Sequence, residues 1–255
     1  MRNTYQRPKI IFFGTDPFAD IVLKALQKAD FDVIMAITKP VVSKDLDLPP
    51  ADLGVVAVYG KILSKKILEH FPHGVLNIHP SLLPKYRGPS PIRTAIANGD
   101  TQTGVTVIKL DDQMDHGPVL ANKELRIMNY EKHDQIRDRL AHAGAELLIK
   151  TIPLYLDGTI TSRPQDETHA TYTKMLTRDD GMVDLATDSP EIIYNKFRAY
   201  ETWPGIWTMH KGKRVKIINC HFDHDRVYID NLQPEGKKPM SMLDYINGYG
   251  PLNIT

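Results

Sequence analysis

Ile10-Ile11-Phe12-Phe13-Gly14-Thr15-Asp16-Pro17-Phe18-Ala19 begins with four apolar residues in a row, the pattern of a strand buried on both faces. Gly14 ends the run. Asp16 followed by Pro17 has the form of a helix N-cap with proline at the first helical position, where the missing N–H costs no bond. Ile21, Val22, Ala25, Leu26 and Ala29 then recur at helical spacing, and Phe31 to Thr38 predicts a second strand. Strand, helix and strand in that order open a parallel sheet with helical crossovers, so the fold class is α/β. The glycine pattern is not G-x-G-x-x-G, so the turn after the first strand reads as a tight turn beside a cleft rather than a dinucleotide loop.

The rest of the chain extends this scheme. Val55-Val56-Ala57-Val58 predicts a third strand, and residues 39–53, with Pro40, Pro49 and Pro50, predict an extended or loosely turned connection without a helix. A short helix is expected over 61–71, a strand over 74–79, a short helix over 91–98, and strands over 103–110 and 119–127. Apolar residues at 136, 140, 143, 147 and 148 mark a long amphipathic helix that should end near Ile152, ahead of Pro153. Residues 1–157 are thus expected to form one domain, 158–170 a linker, and 171–255 a second domain. In the latter, Ser189-Pro190-Glu191 starts a helix with Ile193, Phe197 and Tyr200 on one face, closed by Trp203-Pro204-Gly205. Alternating strands over 205–209, 213–222 and 226–232 make that domain β-rich, with the character of a partial barrel.

Composition narrows the function classes. With 42% apolar residues in 255, the chain can bury a core, and Lys+Arg 32 against Asp+Glu 31 leaves no overall basic excess that would announce a nucleic-acid partner. Cys220 is the only cysteine, which excludes an intrachain disulfide and a cysteine-based zinc site and suits a reducing compartment. The segment Met1 to Lys9 lacks the apolar run of a signal peptide, and no apolar run reaches membrane-spanning length, so a cytoplasmic monomer is expected.

The chemistry gathers in Asn77-Ile78-His79-Pro80-Ser81-Leu82-Leu83-Pro84-Lys85-Tyr86-Arg87-Gly88-Pro89-Ser90-Pro91-Ile92. Two positions apart at a strand end, Asn77 and His79 project from one face. Prolines and a glycine fix the path that follows. Asp115 stands in the acidic loop Asp111-Asp112-Gln113-Met114-Asp115-His116-Gly117-Pro118. An amide can hold a carbonyl oxygen that gains charge on attack, an imidazole can pass a proton near neutrality, and a carboxylate orients the imidazole. No activated serine or cysteine accompanies them, so a substrate amine would be the nucleophile in a direct acyl transfer. The same Asn and His also fit a plain strand-end cap, and the residues by themselves leave both readings open.

Asn77-x-His79-Pro80-Ser81-Leu82-Leu83-Pro84 with Asp115-x-Gly117 resembles the signature of the folate-dependent formyltransferases. Lys85-Tyr86-Arg87-Gly88-Pro89-Ser90-Pro91-Ile92, Phe13-Gly14-Thr15, Ala57-Val58-Tyr59-Gly60, Thr103-Gly104-Val105-Thr106, Gln165-Asp166-Glu167, Arg198-Ala199 through Trp203-Pro204-Gly205 and the tail from Leu232 to Ser241 narrow the resemblance to the methionyl-tRNA formyltransferase family. The resemblance implies a Rossmann-like, mostly parallel sheet with a small OB-like C-terminal domain. It implies formyl transfer from 10-formyltetrahydrofolate to the amino group of methionine on initiator methionyl-tRNA. Asn77, His79 and Asp115 match its catalytic positions, with Asn77 and protonated His79 steadying an oxyanion and Asp115 moving the amine proton. Ser81, Leu82, Leu83 and Pro84 match its folate-binding segment, and no metal is required.

Two features depart from the family. Residues 39–53 are shorter than the insertion the family carries there, whose basic loop meets tRNA, and hold only Lys39 and Lys44 as bases. Gly14-Thr15-Asp16-Pro17-Phe18 transposes the usual proline and acid. Over 171–255 eleven bases balance eleven acids, yet Lys211, Lys213, Arg214 and Lys216 cluster, as do Lys237 and Lys238, and these are the candidate tRNA contacts. A formyltransferase for a small amine such as an amino sugar nucleotide, or a non-catalytic folate- or RNA-binding protein, would share parts of this pattern. Trp203 and Trp207 are expected in the core of the small domain, as is Cys220 in a strand. The histidine clusters 70–73 and 221–225 lack a convincing full ligand set and read as surface turns. Arg87 is expected either to meet an anion or to anchor its loop.

Overall fold

The first strand's neighbours decide where a site can form. In a computed structural model, which describes residues 7–41 and 46–254, β1 (Lys9–Phe13) lies between β2 (Asp32–Ile37) and β3 (Leu53–Ala57). The sheet continues through β4 (Val75–His79), β5 (Gln102–Lys109) and β6 (Val119–Arg126), in the order β2-β1-β3-β4-β5-β6. The first four strands run parallel, and β5 and β6 add antiparallel. The strand order reverses beside β1, and in such sheets ligands collect outside the carboxyl ends of the strands. The chain divides into two compact units. One holds residues Met1–Pro91, Gln102–Arg126 and Asp134–Thr173, and the other Ile92–Thr101, Ile127–His133 and Lys174–Thr255.

Both faces of the first unit's sheet are covered, as the unbroken apolar run of β1 requires. Ile10 to Phe13 are all fully buried. On one face lie α1 (Pro17–Lys28) and α4 (His133–Leu156, all but its first residue in this unit). Asp16 caps α1 by accepting from the Ala19 N–H at 3.1 Å, and α4 comes so close to the sheet that a Cβ at Gly144 would meet Ile78 at 2.7 Å. On the other face Ile11, Phe13, Val56 and Val75 pack with Tyr59, Leu63, Ile67 and Phe71. Asn77 and His79, in step with Val75 along the pleat, share that second face.

Two helices differ from the sequence expectation. The helix expected over 61–71 is the single turn α2 (Lys65–Leu68), which starts only after Ser64. The long helix passes Pro153 and continues to Leu156. Proline's φ is helical, so near a helix end it removes one N–H without halting the turn, and Asp157 N–H still reaches the Pro153 carbonyl at 3.0 Å. The connection after β2 contains no helix among its described residues, and Lys44 lies outside them.

The second unit contains most of α3 (Pro91–Ala97), α5 (Pro190–Tyr200) and an antiparallel sheet of β7 (Ile206–His210), β8 (Lys213–Asp223), β9 (Arg226–Pro234) and β10 (Met240–Ser241), in the order β10-β9-β8-β7. Ile193 and Phe197 of α5 are buried, and Tyr194 stacks between Phe197 and Phe222 at centroid distances of 6.3 and 5.6 Å. A further helix, α6 (Met242–Tyr249), goes beyond the sequence expectation; Ser241 caps it by accepting from the Asp244 N–H at 3.1 Å. Trp207 is buried with its Nε1–H on the Arg178 carbonyl, whereas Trp203 is 46% exposed and outside the core. Cys220 is buried, and desolvation pushes its thiol up to about 12, so it is chemically quiet. No helix among the described residues is long and apolar enough to cross a membrane.

Candidate active site

Strand β4 delivers Asn77 and His79, both almost fully buried, to its carboxyl end. The neighbouring strand β5 pairs antiparallel to it, with Asn77 opposite Ile108 and His79 opposite Thr106. The loop that follows β5 returns Asp115 to the same place. Its Oδ1 lies 3.4 Å from Asn77 Nδ2 and 3.6 Å from His79 Nδ1. Its Oδ2 accepts from the Gly88 N–H at 2.8 Å. The three candidate residues, spread over 38 positions of chain, are thus brought together around one carboxylate oxygen.

The far side of the imidazole is also held. His79 Nε2 donates to the Tyr86 carbonyl at 2.9 Å, so that nitrogen carries hydrogen. Both ring nitrogens face oxygen atoms, Nε2 the Tyr86 carbonyl and Nδ1 the Asp115 carboxylate. The contacts to Asp115 are long for direct hydrogen bonds, and contacts of this kind tighten when substrate arrives. One N–H of the Asn77 amide faces the Asp115 carboxylate.

The Ser81–Pro84 segment is rigid from within. Ser81 is buried and its Oγ donates to the Lys85 carbonyl at 2.6 Å, so its hydroxyl is committed to the turn. Thr106 donates to the Ser81 carbonyl at 2.7 Å and accepts from the Leu83 N–H at 3.1 Å. Leu83 is buried, Leu82 half-buried, and Leu83–Pro84 is a cis peptide. The segment therefore presents the partly exposed apolar side chains of Leu82 and Pro84 on a backbone fixed by Thr106.

A second set of residues stands behind the first. Arg87 is 1% exposed and its guanidinium meets the Glu167 carboxylate at 2.6 and 2.9 Å, the Gln165 Oε1 at 2.8 and 3.1 Å, and the Tyr172 hydroxyl at 3.1 Å. The hydrogen bond to Glu167 raises the Arg87 pKa, and the same bond holds the Glu167 carboxyl below the usual range. Arg87 thus meets a carboxylate of its own chain and anchors its loop. His116 bridges the rim, with Nδ1 2.7 Å from Asp111 Oδ2 and Nε2 3.6 Å from Glu167 Oε1. Gly88 has φ +109, and a Cβ there would press within 2.8 Å of the Thr173 carbonyl oxygen; at Gly117 a Cβ would fall on the Lys109 carbonyl. Sequence reasoning places Gln165 and Glu167 in a linker and, though Gln165-Asp166-Glu167 carries part of the family resemblance, gives them no role. The available signal is Arg87, since a buried guanidinium needs a carboxylate.

In the second unit the candidate tRNA contacts are not equivalent. Lys211 Nζ donates to the Tyr249 carbonyl at 2.6 Å, and the Arg214 guanidinium stacks 4.0 Å from the Trp207 ring centroid. Lys213, Lys216, Lys237 and Lys238 are exposed.

An amide, an imidazole and a carboxylate at the carboxyl end of one strand of a mostly parallel sheet are equipment for group transfer, and the family models agree on the class. Residues 14–152 match the formyl transferase model, and residues 175–227 match that of the formyl transferase C-terminal domain. Among curated relatives, a methionyl-tRNA formyltransferase of Roseiflexus sp. (strain RS-1) is 41% identical over 221 residues, covering 77% of this chain and 68% of that protein. One from Chloroflexus aggregans (strain MD-66 / DSM 9485) is 36% identical over 308 residues, covering 97% of this chain and 99% of that protein. The chain belongs to the methionyl-tRNA formyltransferase family and is an enzyme of that type.

Solved structures share the fold at lower identity. Methionyl-tRNA formyltransferase from Clostridium thermocellum superposes with a TM-score of 0.68 at 18% identity, over 89% of this chain and 98% of that one. An N-formyltransferase from Helicobacter canadensis, solved with folinic acid and dTDP-3-aminofucose, has a TM-score of 0.68 at 16% identity, over 91% of this chain and 98% of that one. HypX from Aquifex aeolicus, solved with tetrahydrofolic acid, has a TM-score of 0.71 at 17% identity; 95% of this chain aligns, but it spans only 47% of HypX.

Proposed function

We propose that this enzyme transfers a formyl group from 10-formyltetrahydrofolate to the amino group of methionine on initiator methionyl-tRNA, acting as a cytoplasmic monomer. The observation that carries the reading is the convergence of Asn77 and His79 on Asp115 Oδ1, within 3.4 and 3.6 Å. The folate would lie along Ser81–Pro84, whose backbone Thr106 fixes. The neutral amine attacks the formyl carbon, forming the new C–N bond and a tetrahedral intermediate. Asn77 and His79 stabilise the oxyanion by hydrogen bonds aimed where charge develops. Asp115 takes the proton the amine sheds, and that proton returns through His79 to N10 of the folate as the C–N10 bond breaks. Tetrahydrofolate and the formylated amine leave. Residues 14–152 and 175–227 both matching formyl transferase models support this acceptor, because the second match covers the part that carries the exposed Lys213 and Lys216.

A formyltransferase for a nucleotide amino sugar is the second reading, favoured by the likeness to the Helicobacter canadensis N-formyltransferase and by the short segment after β2. Formyl transfer to charged initiator tRNA, run beside a dTDP amino sugar, separates them. Transfer to the tRNA is expected; transfer to the sugar alone would replace the first reading with the second.

A further inference from the structure

We infer that Gln165 is a positioning residue that sets where the Asp115 carboxylate stands. The inference rests on the role proposed for Asp115. The Gln165 side chain has only one workable orientation. Its Oε1 accepts from Arg87 Nε and Nη2 at 3.1 and 2.8 Å, and its Nε2 donates to the carbonyls of Asp115 and Gly117, both at 2.8 Å. Turning the amide over would set its NH2 against a guanidinium and its oxygen against two carbonyls.

Asp115 is therefore gripped twice. Gly88 holds its side chain at Oδ2, and Gln165, held by the adjacent Arg87, takes its main chain. The loop needs that grip. Asp115 has φ +51, the left-handed region that a residue with a Cβ seldom occupies, and Gly117 lies hard against the Lys109 carbonyl. The loop must also be accurate, since Asp115 Oδ1 serves Asn77 and His79 at once. Arg87 in turn is fixed by Glu167 and Tyr172, so Gln165 connects a buried charged anchor to the loop that carries the reacting carboxylate.

The test is Gln165→Glu. This change keeps size and the acceptor toward Arg87, and gives that arginine a second carboxylate, but it replaces the two donors to the loop with an oxygen. A packing or ion-pair role alone predicts an unchanged enzyme. The positioning role predicts kcat lower by about 10- to 100-fold, as for a displaced reacting group, with KM for donor and acceptor within about three-fold. It also predicts a retained Tm and faster amide hydrogen exchange in residues 111–118. Should Gln165→Glu lower Tm, Gln165→Ala is judged by the same kcat and exchange criteria. Wild-type kcat, or unchanged exchange in 111–118, overturns the inference. If the wild-type enzyme formylates no tRNA, the functional reading fails, and the exchange measurement still decides whether Gln165 holds the loop.

Discussion

The His79 imidazole is held between two oxygens, the Tyr86 carbonyl at 2.9 Å from Nε2 and Asp115 Oδ1 at 3.6 Å from Nδ1. The ring has little freedom to turn, and one of its nitrogens points at the group that would share its proton. His79→Ala is therefore expected to lower kcat by about 10²- to 10⁴-fold, the range for loss of a general acid–base group. Tm should change far less than activity. Steady-state kinetics with a melting curve check this, and near-wild-type turnover would remove His79 from the mechanism.

Asn77 supplies a donor and no proton. Its loss to alanine is expected to cost roughly 10²- to 10³-fold in kcat, the usual effect of one oxyanion donor. KM should stay close to wild type, because the charge it meets exists only in the transition state. A variant whose whole defect lies in KM would make Asn77 a ground-state contact.

The Arg87–Glu167 pair gives the site's scaffold a dependence on acid. The Glu167 pKa is lowered in the folded state by the hydrogen bond to Arg87. Its stabilising contribution is thus complete above the unfolded carboxyl's value and disappears as pH falls through the lower folded value. Wild type should melt above Glu167→Gln at pH 7, and the gap should close in strong acid. A gap that stays constant down to the acid limit would show that the charge of Glu167 does not matter to the fold.

Much of this arrangement is legible in the sequence, for identifiable reasons. The apolar run of β1 and the Asp16-Pro17 cap are local signals, and the pleat alone puts Asn77 and His79 on one face. Asp115 is grouped with Asn77 and His79 by chemistry alone, and the family resemblance supplies the support, because no periodicity links a loop carboxylate to a strand end. Gln165 and Glu167 enter the sequence reading only as part of the resemblance and without a role, because they reach Arg87 across 78 and 80 residues of chain, and a buried arginine does not say which carboxylate it will find. Helix α6 escapes the sequence reading although Ser241 and Asp244 have capping spacing, because Asn247-Gly248 inside it reads as a turn signal. Trp203 lies at the surface, outside its expected core position, which hydrophobicity does not foretell.

If the exposed lysines of the second unit hold the acceptor's phosphates, charge removal should act on binding rather than on chemistry. Replacing Lys213, Lys216, Lys237 and Lys238 together with glutamine should raise KM for tRNA at unchanged kcat. The slope of log affinity against log salt should become shallower, by about one unit for each phosphate no longer neutralised. Lys211 and Arg214 are poorer choices, since one bonds the Tyr249 carbonyl and the other covers Trp207. An unchanged slope would place the tRNA surface elsewhere on the molecule.

The central claim is that the acceptor's own amine attacks the formyl carbon, with Asn77, His79 and Asp115 serving that attack. A single-turnover experiment with donor labelled in the formyl carbon tests it most directly. Enzyme, donor and charged initiator tRNA are mixed and quenched over time, and label is followed on methionine and on protein. The account predicts that label passes to the methionine amino group at the rate donor is consumed, with none on the protein at any time. Label that appears first on the enzyme, or never reaches the methionine, would contradict it.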